Sequence, residues 1–144
     1  MKFHVEMGRI IAIDYGKKRT GLAVTDPLKI IAGGLKTLPS HEVISFLAQY
    51  IKENEVETIL LGEPRQMNYE FSENRQRVEI FRKQLQKIIP NIGIIMVDER
   101  FTSKLAHQTM IEAGLKKTKR QDKELVDELS AIIILQTYLE SVRK

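Results

Sequence analysis

Apolar residues fall along this chain in two rhythms. Short unbroken runs occur at Ile10 to Ile13, Ile59 to Leu61 and Ile94 to Val97, the pattern of strands buried on both faces. Spacings of three and four recur elsewhere. Val43, Phe46, Leu47, Tyr50 and Ile51 form one stripe, Val78, Phe81, Leu85 and Ile88 a second, and Ala131, Ile134 and Tyr138 a third. Each predicts a helix with one face turned inward.

Turn residues divide these rhythms into elements. The first strand carries Asp14 to its end, the chain turns on Gly16, and a second strand runs from Thr20 to Thr25. Asp26-Pro27 marks the next turn, and Ile30 to Leu38 reads as a third strand interrupted by Gly33-Gly34. Pro39 and Ser40 announce a helix with Ser40 as its N-cap. A strand over Glu57 to Gly62 follows, then a helix from about Glu73 to Ile89, capped by Ser72 and stopped by Pro90. Gly93 to Asp98 is the fifth strand. Thr102 is placed to cap a helix ending at Ala113-Gly114, and a last helix spans about Lys123 to Val142. Three strands joined by short turns, then strands linked by helices, predict one α/β domain over residues 1–144, its mixed sheet covered on both faces.

Composition narrows the chemistry. With no cysteine among 144 residues, neither a disulfide framework nor a thiolate metal site is available. No apolar run approaches the roughly 18–20 residues of a membrane span, and the opening MKFHVEMGR lacks the apolar core of a secretory signal. A cytoplasmic protein without a membrane partner is expected. The net charge of +4 permits an anionic partner without requiring one. Its distribution says more: Lys17, Lys18 and Arg19 follow Asp14 in the first turn, and Lys116, Lys117, Lys119, Arg120 and Lys123 cluster after Gly114. Solvated surface charge accounts for such clusters; so does a nucleic-acid backbone, given acidic candidates beside them.

Three acids stand out by position. Asp14 shares a strand face with Ile10 and Ala12. Glu99 follows the fifth strand on the parity of Val97. Asp127 lies on the inward stripe of the last helix with Ala131, Ile134 and Tyr138. Singly, they read as a turn residue, a strand-end surface acid and a dipole-complementing helix-start Asp. Together, converging carboxylates repel one another unless a cation neutralises them. His4, His41 and His107 show no paired spacing, which leaves a hard oxygen site suited to Mg²⁺ or Mn²⁺. Such ions can clamp the attacking and leaving oxygens of a phosphodiester displacement.

Ile13-Asp14-Tyr15-Gly16 with Arg19-Thr20-Gly21-Leu22-Ala23, Asp98-Glu99-Arg100-Phe101-Thr102-Ser103, and Val126-Asp127-Glu128-Leu129-Ser130-Ala131 together resemble the YqgF family. These RNase H-like proteins are described as Holliday junction resolvases and as nucleases maturing the 5′ end of pre-16S rRNA. The resemblance covers nearly the whole chain in order. It implies an RNase H-like fold: a five-stranded mixed sheet, its first three strands antiparallel, flanked by helices. It also implies a catalytic carboxylate site of Asp14, Glu99 and Asp127 that binds divalent metal and activates water, with the basic loop Lys116 to Lys123 beside it. Lys17, Lys18, Arg19, Arg100, Lys116, Lys117, Lys119 and Arg120 are the candidate phosphate contacts, with Arg100 alternatively pairing with Glu99.

The chain departs from the family pattern after the fourth strand, where Gly62-Glu63-Pro64 stands in place of Gly-Leu-Pro and no Asn-Met-Asp-Gly element follows. Glu63 is therefore a candidate fourth metal carboxylate, with a surface Glu after a glycine turn as the plain alternative. The expected activity is a metal-dependent endonuclease acting on precursor rRNA. A resolvase of branched DNA, working as a homodimer rather than a monomer, shares the chemistry. A nucleic-acid-binding module with inactive carboxylates is the non-enzymatic reading. The Asp-x-Gly turn also resembles the phosphate loop of actin-like and sugar-kinase ATPases, but 144 residues hold one copy of a fold that those proteins use twice.

Overall fold

The computed structural model describes residues 8–63, 71–98 and 123–142. Strands β1 (Arg9–Tyr15), β2 (Arg19–Thr25) and β3 (Ala32–Pro39) form an antiparallel meander. Strands β4 (Val56–Glu63) and β5 (Gly93–Asp98) extend the sheet in parallel from the other side of β1, in the order β3-β2-β1-β4-β5. Parallel neighbours need a crossover. Helix α1 (Val43–Glu53) supplies one before β4, and α2 (Phe71–Ile88) supplies the other before β5. Helix α3 (Lys123–Val142) ends the described chain.

Strand alternation sorts the apolar residues into two layers. Ile11, Ile13, Leu22, Ile59 and Leu61 pack with Val43 and Leu47 of α1 and with Val78, Phe81 and Leu85 of α2. On the other face Ile10, Ala12, Ala23 and Leu60 meet Ala131, Ile134, Leu135 and Leu139 of α3. Ala12 and Ala23 are cross-strand partners, and two small side chains there let α3 approach the centre of the sheet closely. The expected five-stranded mixed sheet is the one observed.

Local details depart from expectation for identifiable reasons. The third strand begins at Ala32, not Ile30. Asp26 takes over the chain before it: Oδ1 accepts the backbone N–H groups of Ile30 and Ile31 at 2.7 Å each, and Oδ2 accepts that of Leu28 at 3.2 Å. Those bonds, Ile31's foremost, hold the Asp26 carboxyl below its ordinary range. Ile30 and Ile31 remain 59% and 68% exposed, so their apolar character does not signal a core strand.

Ser40 is not a helix cap either. It opens a short 3-10 turn, and its side chain is drawn back under the sheet edge. Its Oγ donates to the Gly16 carbonyl at 2.6 Å and shares a 2.8 Å hydrogen bond with Thr20 Oγ1. Helix α2 begins at Phe71, which puts Ser72 inside it rather than at its cap. Ile89 is buried where Ile88 was expected, because Ile89 leaves the helix with its N–H still bonded to the Leu85 carbonyl and turns inward. The helix expected from Thr102 to Ala113 lies outside the described residues.

Candidate active site

Asp14 stands near the C-terminal end of β1, on the face that carries Ile10 and Ala12 and is covered by α3. Its partner across the antiparallel ladder is Gly21. A Cβ on Gly21 would lie 2.1 Å from the Asp127 carbonyl oxygen and 3.0 Å from the Asp127 Cβ. The first turns of α3 therefore rest directly on bare β2 backbone. Directly opposed residues of an antiparallel pair keep their Cβ positions about 4.5–5.5 Å apart, so Asp14 and Asp127 lie within about 8.5 Å of each other at Cβ. That is close enough for their carboxylates to share one cation.

Two further contacts fix the entry of α3. Arg19, two residues before Gly21 and on the same face, donates from Nε to Asp127 Oδ2 at 2.8 Å. The pair is partly open to solvent, with side chains 38% and 20% exposed. Thr37, the β3 partner of Gly21, donates from Oγ1 to Glu128 Oε2 at 3.3 Å. The turn between β1 and β2 is equally constrained: a Cβ on Gly16 would lie 2.4 Å from the Arg19 carbonyl oxygen. The Ser40 backbone N–H donates to the Lys18 carbonyl at 2.9 Å. This holds Lys17 and Lys18 exposed at the sheet end beside Asp14. Beneath them, Tyr15 stacks on Phe81 with ring centroids 4.1 Å apart.

The other candidates divide clearly. Arg19, expected at phosphate, is engaged by Asp127. Glu63 follows Leu61 on the α1–α2 face, opposite Asp14, and its Oε1 lies 3.4 Å from a terminal guanidinium nitrogen of Arg75. Strand alternation and this ion pair direct it away from the two aspartates, contrary to the expectation of a fourth metal carboxylate there. Glu99, Arg100, Lys116, Lys117, Lys119 and Arg120 lie outside the described residues. Val97, the described residue on the parity of Glu99, packs in the α3-side cluster, while Met96 packs on the other. Among the described residues no three His, Cys, Asp or Glu side chains gather as a metal cluster; Asp127 is seated over Gly21, the cross-strand partner of Asp14. Sequence reasoning passed over Gly21 and the Arg19–Asp127 pair. An isolated glycine inside a strand is a signal of close backbone approach and could have flagged the first. The second joins residues 108 apart and leaves no local trace.

The family description "RuvX: Holliday junction resolvase" matches residues 8–141, which span both aspartates and Gly21. The chain belongs to the RuvX family. It is the family that the strand-end, Asp-Glu-Arg and last-helix motifs resemble. RuvX relatives carry the match over their full length. A protein of Bacteroides fragilis named "Putative pre-16S rRNA nuclease" is 58% identical over 137 residues, covering 95% of this chain and 99% of its own. One of the same name from Flavobacterium johnsoniae is 53% identical over 137 residues, with the same coverage. Among solved structures, T. thermophilus RuvC in complex with a Holliday junction substrate superposes with a TM-score of 0.58 at 14% identity. That match covers 92% of this chain and 96% of RuvC. The fold of this RuvX chain is RNase H-like.

Proposed function

We propose that this RuvX chain is a metal-dependent endonuclease that hydrolyses phosphodiesters at the 5′ end of pre-16S rRNA. The observation that carries the reading is the seating of Asp127 on Gly21, the cross-strand partner of Asp14, at the end of the sheet where Lys17 and Lys18 are exposed. Membership of a family described as resolvases, and relatives named for pre-16S rRNA, support phosphodiester chemistry and the choice of substrate. No helix among the described residues is long and apolar enough to cross a membrane; relatives named for pre-16S rRNA support a cytoplasmic role.

The donor set fits a hard divalent ion, Mg²⁺ or Mn²⁺, because both converging side chains offer carboxylate oxygens. A cation held there would polarise a phosphate oxygen and make a bound water more acidic than bulk water. The chain's own residues do the rest. Asp14 and Asp127 hold the ion, Glu99 adds a third carboxylate or orients the attacking water, and Arg100 pairs with Glu99 or holds a phosphate. Lys17 and Lys18 contact backbone phosphates, positioning the strand without reading its sequence. Lys116, Lys117, Lys119 and Arg120 extend that contact.

The family description favours a second reading, resolution of four-way DNA. Two symmetric cuts then require a twofold dimer. The test is cleavage of an end-labelled RNA carrying the pre-16S 5′ region, beside a four-way DNA junction, with Mg²⁺, with Mn²⁺ and with chelator. Metal-dependent cutting of the RNA is expected. Cutting confined to the junction, by a dimer, replaces this reading with the second. Metal-independent binding without cutting of either replaces both with a non-catalytic module.

A further inference from the structure

We propose that Arg19 is an internal counter-cation that a divalent ion must displace from Asp127, so that Arg19 limits how tightly the site binds metal in the absence of substrate. The inference rests on the metal-site reading above and concerns one residue that the family comparisons do not assign.

The geometry leaves Asp127 little choice of partner. Arg19 and Gly21 are two residues apart on one face of β2; the first bonds the Asp127 carboxylate and the second seats its backbone. The Asp127 backbone is therefore fixed on β2, with its carboxylate in reach of the guanidinium. Nε donates directly to Oδ2 at 2.8 Å, so this oxygen already serves a full positive charge. A cation arriving at the same carboxylate meets that charge within a few ångströms, where partly buried charges still interact strongly. Arg19 has somewhere to go. Its side chain is 38% exposed, and it adjoins Lys17 and Lys18, which face solvent where a backbone phosphate is proposed to lie. Phosphate binding would draw the guanidinium off Asp127 and hand that oxygen to the metal, making metal and substrate binding mutually reinforcing.

A simple brace predicts the opposite sign. If Arg19 only oriented Asp127, removing it would loosen a ligand and weaken metal binding. If it competes, removing its charge strengthens binding. A partly exposed ion pair of this kind sets the scale at about fivefold.

The experiment is Mn²⁺ titration by calorimetry, with no nucleic acid present, on wild type, Arg19→Met, Arg19→Lys and Asp127→Asn. Thermal melting in chelator verifies that each variant is folded. Arg19→Met is expected to bind Mn²⁺ about fivefold more tightly than wild type, with Arg19→Lys near wild type because the charge is kept. Arg19→Gln, which keeps a donor without the charge, is expected to change in the same direction and replaces Arg19→Met should the latter not fold. Equal or weaker binding by the uncharged variants, with Asp127→Asn still defective, overturns the role of Arg19 and leaves the metal site standing. Absence of saturable binding in wild type itself overturns the metal-site reading, and the proposal with it.

Discussion

Replacing Gly21 by alanine puts a methyl group at the point where sheet and helix touch. That carbon would lie 2.1 Å from the Asp127 carbonyl oxygen and 2.4 Å from its carbon, whereas ordinary contact begins near 3.4 Å. The obstructing atoms are backbone, so no rotamer change relieves the overlap. The first turn of α3 must retreat by about 1.3 Å, by the difference between those contacts. Overpacking of this kind costs about 1–3 kcal/mol. The retreat carries Asp127 away from Asp14 and from Arg19, and an ångström of misplacement at a reacting centre costs about a hundredfold in rate. Gly33→Ala is the matched control, since a Cβ there meets nothing within 4 Å. Urea denaturation followed by circular dichroism, together with cleavage of the precursor RNA, reads both effects. Gly21→Ala should lose about 1–3 kcal/mol of stability and about two orders of magnitude in rate, while Gly33→Ala loses neither. Equal stability and equal rate for the two variants would refute the seating of α3 on Gly21, and with it the convergence of the two aspartates.

Other perturbations probe the scaffold around that contact. Ser40→Ala removes the partner of a Thr20 hydroxyl that is fully buried, and should cost about 1–3 kcal/mol in the same urea titration, with Thr20→Val less than additive. Asp26 contributes to stability only as a carboxylate. Its folded pKa lies below the ordinary 3.8, chiefly through the Ile31 N–H bond, so its contribution is complete above that value and is lost as pH falls through the lower, folded one. The urea midpoints of wild type and Asp26→Asn should therefore differ at neutral pH, begin to approach each other near pH 3.8 and converge as pH falls through the lower, folded value.

Much of this arrangement was legible because it follows from alternation and periodicity. The unbroken run Ile10 to Ile13 gave a strand buried on both faces, and its parity put Asp14 on the face that α3 covers. Helical spacing likewise turned Asp127 inward with Ala131 and Ile134, both fully buried. The failures arose where specific partners, some distant in sequence and one only four or five residues away, outcompeted composition and periodicity. Ser40 has the composition of a cap, yet its hydroxyl serves Gly16 and Thr20. Ile30 and Ile31 have strand composition, yet the Asp26 carboxylate holds their N–H groups in a loop. Glu63 was misplaced because its face depends on the pairing of β4 with β1, where Leu61 aligns with Ile13 and not with Asp14. The Arg19–Asp127 bond depends on the packing of the last helix against the second strand, and no window of sequence contains both.

The central claim is that Asp14 and Asp127 together hold the ion that cuts RNA. It is tested most directly by cleavage of the labelled precursor rRNA in Mg²⁺ by wild type, Asp14→Asn and Asp127→Asn, each shown by melting to be folded. Wild type should cut, and each single variant should fall by at least about a hundredfold, as loss of a metal-holding group requires. Undiminished cutting by either folded variant would contradict the account, because a site built on that pair cannot lose one carboxylate and keep its rate.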